Sequence, residues 1–194
     1  MNTAAAIQPH NEKPSAVWSS GGANYDQISR GIADSIEHCV LRLNPQPGEK
    51  ILDLATGTGW TSRLVARRGA NVIGVDIARD LIAAARERAK IEDLNIQYEL
   101  GDAEKLPFAD AEFDAVISTN TIYFWPDPLR ALHSLRGVLS AGGRIAIGFS
   151  GATKMRDFGK ITQHGFRTYE PGEVEALLRE AGFTRVATQS LEGK

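Results

Sequence analysis

The stretch that most constrains this chain is residues 51–60, Ile51-Leu52-Asp53-Leu54-Ala55-Thr56-Gly57-Thr58-Gly59-Trp60. An apolar run ends in an acid, then passes through two glycines into residues that can open a helix. That order predicts a buried strand, a tight turn and a helix N-terminus whose free N–H groups face into the turn. Gly57 and Gly59 lack a Cβ, so the chain can turn sharply there and a ligand can approach the backbone. In open α/β sheets, such a turn at the carboxyl end of a central strand is where nucleotides bind.

The 194 residues suit one domain with a substantial core. A hydrophobic content of 42% beside 24% charged residues is that of an ordinary globular protein. The formal net charge of −2 leaves no electrostatic footprint for a nucleic acid or an anionic membrane, so neither is expected as a partner. The lone Cys39 cannot form an internal disulfide, which suits a reducing cytoplasm. No apolar run approaches a membrane span, and the N-terminus lacks a basic segment followed by an apolar one. The expected location is therefore cytoplasmic.

Residues 1–15 are polar with two prolines, Pro9 and Pro14, and read as a disordered or loosely attached tail. Trp18-Ser19-Ser20-Gly21-Gly22 follows, an aromatic ahead of a flexible hinge. On this basis residues 1–23 form a tail and a possible lid, and residues 24–194 form the domain. Ile28, Ile32, Ile36, Val40 and Leu43 mark one face of a single helix, with Cys39 beside that stripe as a small core residue. Asn44-Pro45-Gln46-Pro47-Gly48 breaks the chain before the central strand. Further strands are expected at residues 72–76, 96–100, 113–119, 144–149 and 184–190. Between them, helices carry Leu64 and Val65, then Ile82, Ala85 and Ala89. Asp127-Pro128 supplies a cap and first-turn proline for the next helix, and Pro171 opens the one after it. Strands alternating with helices imply a mostly parallel sheet covered on both faces, a three-layer α/β/α arrangement. Residues 150–170 form the longest irregular segment inside the domain, a length often functional or mobile.

Asp53, Asp76 and Asp102 each fall at or just past the carboxyl end of an expected strand. Asp76 follows Gly59 by one helix plus one strand, which places its carboxylate at the neighbouring tip, suited to a pair of ribose hydroxyls. Asp102, one strand further out, can accept from the exocyclic amine of a purine. Three such acids in series after a glycine turn form a stronger signal than any one of them.

These residues resemble the class I S-adenosylmethionine-dependent methyltransferases. The pattern Val/Ile-Leu-Asp-Leu-x-x-Gly-x-Gly matches from Ile51 to Gly59, followed by Gly74-Val75-Asp76-Ile77. Gly101-Asp102-Ala103-Glu104, Phe113-Asp114-Ala115-Val116 and Ser140-Ala141-Gly142-Gly143 continue it in order. The resemblance implies a Rossmann-like, doubly wound α/β fold and S-adenosyl-L-methionine as cofactor. It implies that Gly57 and Gly59 let the backbone approach the methionine part, while Asp53 helps bind the ammonium end, directly or through water. Asp76 would hold the ribose diol with Ile77 packing on adenine; Asp102 would take the adenine amine with Ala103 beside it. Thr119 would face the methionine portion, and Tyr25 would cover the cofactor from the entry helix. The closest likeness is to enzymes acting on small molecules.

The family sheet normally has seven strands, and only four residues follow the expected sixth here, too few for a seventh. Either residues 184–190 pair with the fifth strand, or a homodimer covers the exposed edge. Methyl transfer from a sulfonium relies chiefly on alignment, so a dedicated base is not required. Where the acceptor must lose a proton, His164 and Tyr123 are the candidates. His10, His38 and His133 show no ligand spacing, and no metal site is expected. Two rival readings are a NAD-dependent dehydrogenase and a non-catalytic cofactor-binding subunit. The dehydrogenase fingerprint requires glycine at Ser62 and leaves Asp102 unexplained.

Overall fold

The computed structural model describes residues 7–155 and 167–191. In chain order, α1 (Glu12–Ser19), α2 (Tyr25–Gly31) and α3 (Ala33–Leu43) precede β1 (Lys50–Leu54). Next come α4 (Trp60–Ala66), β2 (Asn71–Asp76), α5 (Arg79–Ile91), β3 (Gln97–Leu100) and β4 (Phe113–Thr119). After them follow α6 (Pro128–Val138), β5 (Leu139–Gly148), α7 (Ala152–Met155) and α8 (Pro171–Glu180). The strands form one parallel sheet in the order β3-β2-β1-β4-β5.

Alternation along the central strands assigns side chains to two layers, because successive residues of a strand face opposite sides. Leu52, Leu54, Ile73 and Val75 pack with Leu132 and Leu135 of α6 and Val174 of α8. Ile51, Val72, Ala115 and Ile117 face the other way, onto Ile36, Val40 and Leu43 of α3 and Val65 of α4. Ile82, Ala85 and Ala89 of α5 enclose Tyr98. The three-layer, doubly wound α/β expectation holds. As the sequence suggests, Asp127 caps α6: its carboxylate accepts from the Arg130 N–H at 2.9 Å, with Pro128 opening the helix.

Four expectations need correction. The N-terminal segment is not a loose tail from residue 9 onward: Pro9–Asn11 form a 3₁₀ turn that leads into α1. The stripe from Ile28 to Leu43 is split between two helices, because Ile32 leaves helical geometry at φ −120° after Gly31. The break rotates the earlier turn, so Ile28 is 55% exposed while Ile36 and Val40 stay buried. The fifth strand begins at Leu139, before Gly142-Gly143, which sits in it as an irregularity where the register jumps between Phe113↔Leu139 and Ala115↔Arg144. Residues 184–190 do not form a strand. Arg185 adopts a left-handed φ of 54°, and only Val186 in that stretch is partly buried, so neither backbone nor burial favours an extended pairing. Among the described residues β5 is an edge strand, with residues 183–191 lining a broad groove beside it.

Candidate functional site

The carboxyl ends of β1 to β4 open into a cleft of about 950 Å³, counting the part open to solvent. Its floor is the turn after β1. Gly57 and Gly59 both take left-handed conformations, φ 57° and 79°, and Ala55 does so at 55°. The Gly59 N–H donates to the Thr56 carbonyl at 2.9 Å and closes the turn, and Gly59 then caps α4. The two glycines serve different contacts. Gly57 lies under the Tyr25 ring, where a Cβ would sit 3.4 Å from the ring edge. Gly59 faces Tyr98 instead, and a Cβ there would fall 2.3 Å from the phenol oxygen.

Asp53 is placed beneath this floor rather than in the cleft. Its Oδ2 accepts from Ser62 Oγ at 2.6 Å and Thr56 Oγ1 at 2.7 Å, and the side chain is 1% exposed. It therefore ties the turn to the start of α4. Asp76 lines the cleft while accepting from the Gly57 N–H at Oδ2 and the Ala78 N–H at Oδ1, both at 2.9 Å. Burial pushes both carboxyls up to about 6; hydrogen bonds oppose the rise at each, and the Asp76 charge adds to it at Asp53. Ile77, Ala103 and Thr119 also line the cleft, and Thr119 Oγ1 lies 3.0 Å from Thr61 Oγ1. Asp102 lines it too, but its carboxylate is engaged by the N-terminal turn.

A roof of aromatic rings closes one side. Trp18 packs edge-on against Tyr25 at 5.9 Å and against Phe124 at 4.7 Å between centroids. Burial, and after it the charge of Asp76, raises the Tyr25 hydroxyl above its ordinary pKa. Ile32, Ile36, Trp60 and Trp125 extend the apolar lining.

Motif reasoning misses Asp26 and Arg63, both buried. Arg63 Nη1 donates to the Thr58 carbonyl at 2.7 Å, Nη2 reaches Asp26 at 3.4 Å and Nε reaches Glu92 at 3.0 Å. Asp26 also accepts from Thr58 Oγ1 at 3.1 Å. The pair clamps the glycine turn to the helix that begins with Tyr25. An arginine four positions after Gly59, in the helix that the glycine turn opens, is the one sequence sign of it.

Of the two base candidates, Tyr123 is not brought into the cleft. It is buried, and its hydroxyl donates to the Ser150 carbonyl and accepts the Ser150 N–H. His164 lies outside the described residues. Among the described residues no group of three side chains could hold a metal ion, and no helix is long and apolar enough to cross a membrane.

The donor set fits an adenosyl sulfonium cofactor. The strand order places Asp102, Asp76, the Gly57 turn and Thr119 in line across the mouth of the sheet, acids at one end and hydroxyls at the other. Trp60 Nε1, on a ring that lines the cleft, is buried with no partner among the described residues.

A family model described as a methyltransferase domain matches residues 52–147. The demethylmenaquinone methyltransferase of Corynebacterium kroppenstedtii is 36% identical over 148 residues, which cover 74% of this chain and 62% of that one. The ubiquinone biosynthesis O-methyltransferase of Dinoroseobacter shibae is 30% identical over 174 residues, 83% of this chain and 70% of that one. Among solved structures, the protein bound to the Trm112 methyltransferase activator of Haloferax volcanii superimposes with a TM-score of 0.75 at 22% identity. That match covers 85% of this chain and 75% of the other, and it shows the fold. The chain spans 37% of the length of the mycobacterial relatives it matches at 41% identity over 101 residues.

Proposed function

We infer that this domain transfers a methyl group to a neutral small-molecule acceptor, from the premise that the chain belongs to the class I S-adenosylmethionine-dependent methyltransferases. The observation that carries the reading is the order of groups along the cleft. Strand order β3-β2-β1-β4 sets the polar end formed by Asp102 and the Asn11 amide it holds, an acceptor for a diol, a left-handed glycine turn and a pair of threonine hydroxyls side by side. An elongated ligand with a purine, a ribose and an amino-acid tail meets them in that sequence.

S-adenosylmethionine supplies, when bound, a methyl group activated by a sulfonium leaving group. The residues of this chain bind, orient and exclude water. Asp76 accepts from the ribose hydroxyls. Its carboxylate is oriented by the Gly57 and Ala78 N–H groups, so the turn and the ribose acceptor move as one unit. Asp53 holds the turn from below, and the Asp26–Arg63 pair holds it from the side. Tyr25, Trp18 and Phe124 cover the cleft from water. Alignment of reacting groups contributes up to about 7–11 kcal/mol in favourable intramolecular models, so most of the rate can come from positioning. A quinol or phenol acceptor also gives up its hydroxyl proton as the C–S bond breaks and the new bond forms, and that proton passes to water at the open side of the cleft.

The lining also favours an acceptor class. Apart from Asp76, Asp102 and Glu104, the described residues that line the cleft are uncharged, and Trp18, Ile32, Ile36, Trp60 and Trp125 make the remaining wall apolar. A ring such as a quinol or phenol suits that wall better than a phosphorylated amine, and the two relatives named for quinone pathways point the same way. The test is turnover with methyl-labelled S-adenosylmethionine against a panel of quinols, phenols, amines and phosphoamines. Label in a neutral ring acceptor is the expected result; labelling of the phosphoamines alone overturns the acceptor class, and no labelling of any acceptor by a protein that binds the cofactor overturns the enzymatic reading.

A further inference from the structure

The N-terminal turn is part of the cleft, although no motif marks it. Pro9–Asn11 make one turn of 3₁₀ helix, closed by the Asn11 N–H donating to the Gln8 carbonyl at 2.8 Å. Proline at its first position presets φ, so the turn is ordered at little entropic cost. The turn brings two donors onto one atom. The Gln8 N–H and Asn11 Nδ2 both donate to Asp102 Oδ2 at 2.9 Å, while Oδ1 accepts from the Glu104 N–H at 3.0 Å. With three donors on a side chain only 1% exposed, Asp102 has little capacity left for a ligand.

Asn11 itself is 5% exposed, yet it lines the cleft. A carboxylate can only accept, so the Asn11 amide must present its NH₂ to Asp102. The amide is planar, which turns Oδ1 away from the carboxylate, and that oxygen has no hydrogen-bond partner among the described residues. The segment is fastened on either side of Asn11. His10 Nε2 lies 3.1 Å from both Glu104 carboxylate oxygens, and Ser15 Oγ donates to the Ile77 carbonyl at 2.6 Å. The turn is thus held across the tips of β2 and β3, beside Ile77 and Ala103.

We propose that Asn11 is the residue that reads the exocyclic amine of the adenine ring: Asp102 fixes the Asn11 amide, and Asn11 Oδ1 accepts from the amine. Asp102 is then a positioning residue, and the amine contact comes from the N-terminal turn. This rests on the reading of the cleft as an S-adenosylmethionine site. With the acid at the end of β3 engaged, the Asn11 oxygen supplies the acceptor in its place, and an acceptor oxygen favours an amine over a ring carbonyl.

The test is a cycle of residue and ligand changes, read by calorimetry on the full chain. S-adenosylhomocysteine is compared with an analogue bearing hydrogen in place of the exocyclic amine. Asn11→Ala should weaken S-adenosylhomocysteine by roughly 2- to 13-fold, the range of one neutral hydrogen bond, and leave the analogue unchanged. Asp102→Asn, whose carbonyl still accepts from Asn11, should retain more of the discrimination than Asp102→Ala. Equal losses for both ligands would mean a purely structural role and overturn the proposal. Unchanged or tighter binding by Asn11→Ala would also overturn it, because the turn would then be a plug that adenine displaces from Asp102. Failure of the unaltered chain to bind S-adenosylhomocysteine would instead overturn the cofactor reading, and the proposal with it.

Discussion

Asp76→Asn separates the electrostatic cost of the site from its ligand contacts. In the fold the Asp76 carboxyl is buried and pushed up to about 6 from an ordinary 3.8. The folded state therefore holds a proton between those values that the unfolded chain releases. The raised value stabilises the fold fully below pH ~3.8, and that stability is lost as pH rises through about 6. A shift of this size corresponds to about 3 kcal/mol on complete ionisation. Asparagine does not titrate, so the stability difference between wild type and variant should move by about 2 kcal/mol, in the variant's favour, between pH 3.8 and ~6.5. Against this, the asparagine keeps one acceptor and sets an NH₂ against either the Gly57 or the Ala78 N–H, a loss of about 1–3 kcal/mol present throughout that range. Urea unfolding at half-unit pH steps, taken as the difference between the two proteins, cancels the other carboxylates. For the ligand the sign reverses: ribose hydroxyls donate to the ionised carboxylate, so wild-type affinity should rise as pH climbs through 6, and the variant should lose roughly 10- to 150-fold at pH 7.5. A stability difference that stays flat from pH 4 to 7 would refute the reasoning, because Asp76 would then titrate as an exposed acid.

Three further outcomes follow from particular contacts. Gly59→Ala drives a methyl toward the Tyr98 hydroxyl from a left-handed backbone position and should cost about 2–4 kcal/mol in chemical denaturation, with Tyr98→Phe recovering part of it; a loss below about 1 kcal/mol would contradict the packing. Tyr123→Phe should lower stability by about 1 kcal/mol through the lost Ser150 contacts, yet leave kcat within a few-fold across pH; a large kcat loss with a changed pH profile would restore Tyr123 as a base. Residues 18–25 should become protected from hydrogen exchange when S-adenosylhomocysteine binds, as a closing roof requires, and equal protection in both states would make the segment a static strap.

What could be read in advance was local. Residues 51–59 announce strand, turn and helix because burial, a left-handed turn and a helix start each demand particular residue types in a short window. The strand-end positions of Asp76 and Asp102 follow from the same counting, as does the Asp127 cap. What could not be read depends on distant partners. Asp102 meets Gln8 and Asn11, 94 and 91 residues away, and nothing periodic links a polar N-terminal turn to an acid after β3. The need for glycine at position 59 comes from Tyr98 on another strand, and the placement of Asp53 below the turn depends on Thr56 and Ser62 facing it. Residues 184–190 mislead in the opposite sense: their composition tolerates a strand, but only a neighbour and a buried face make one, and β5 supplies neither to them.

The central claim is that the cleft holds an adenosyl sulfonium cofactor by the groups set along β3, β2, β1 and β4. Calorimetric titration of the full chain with S-adenosylhomocysteine and, separately, with NAD measures it most directly. One-site binding of S-adenosylhomocysteine, weakened by Asp76→Asn, and no detectable binding of NAD are expected. NAD binding without S-adenosylhomocysteine binding would contradict it.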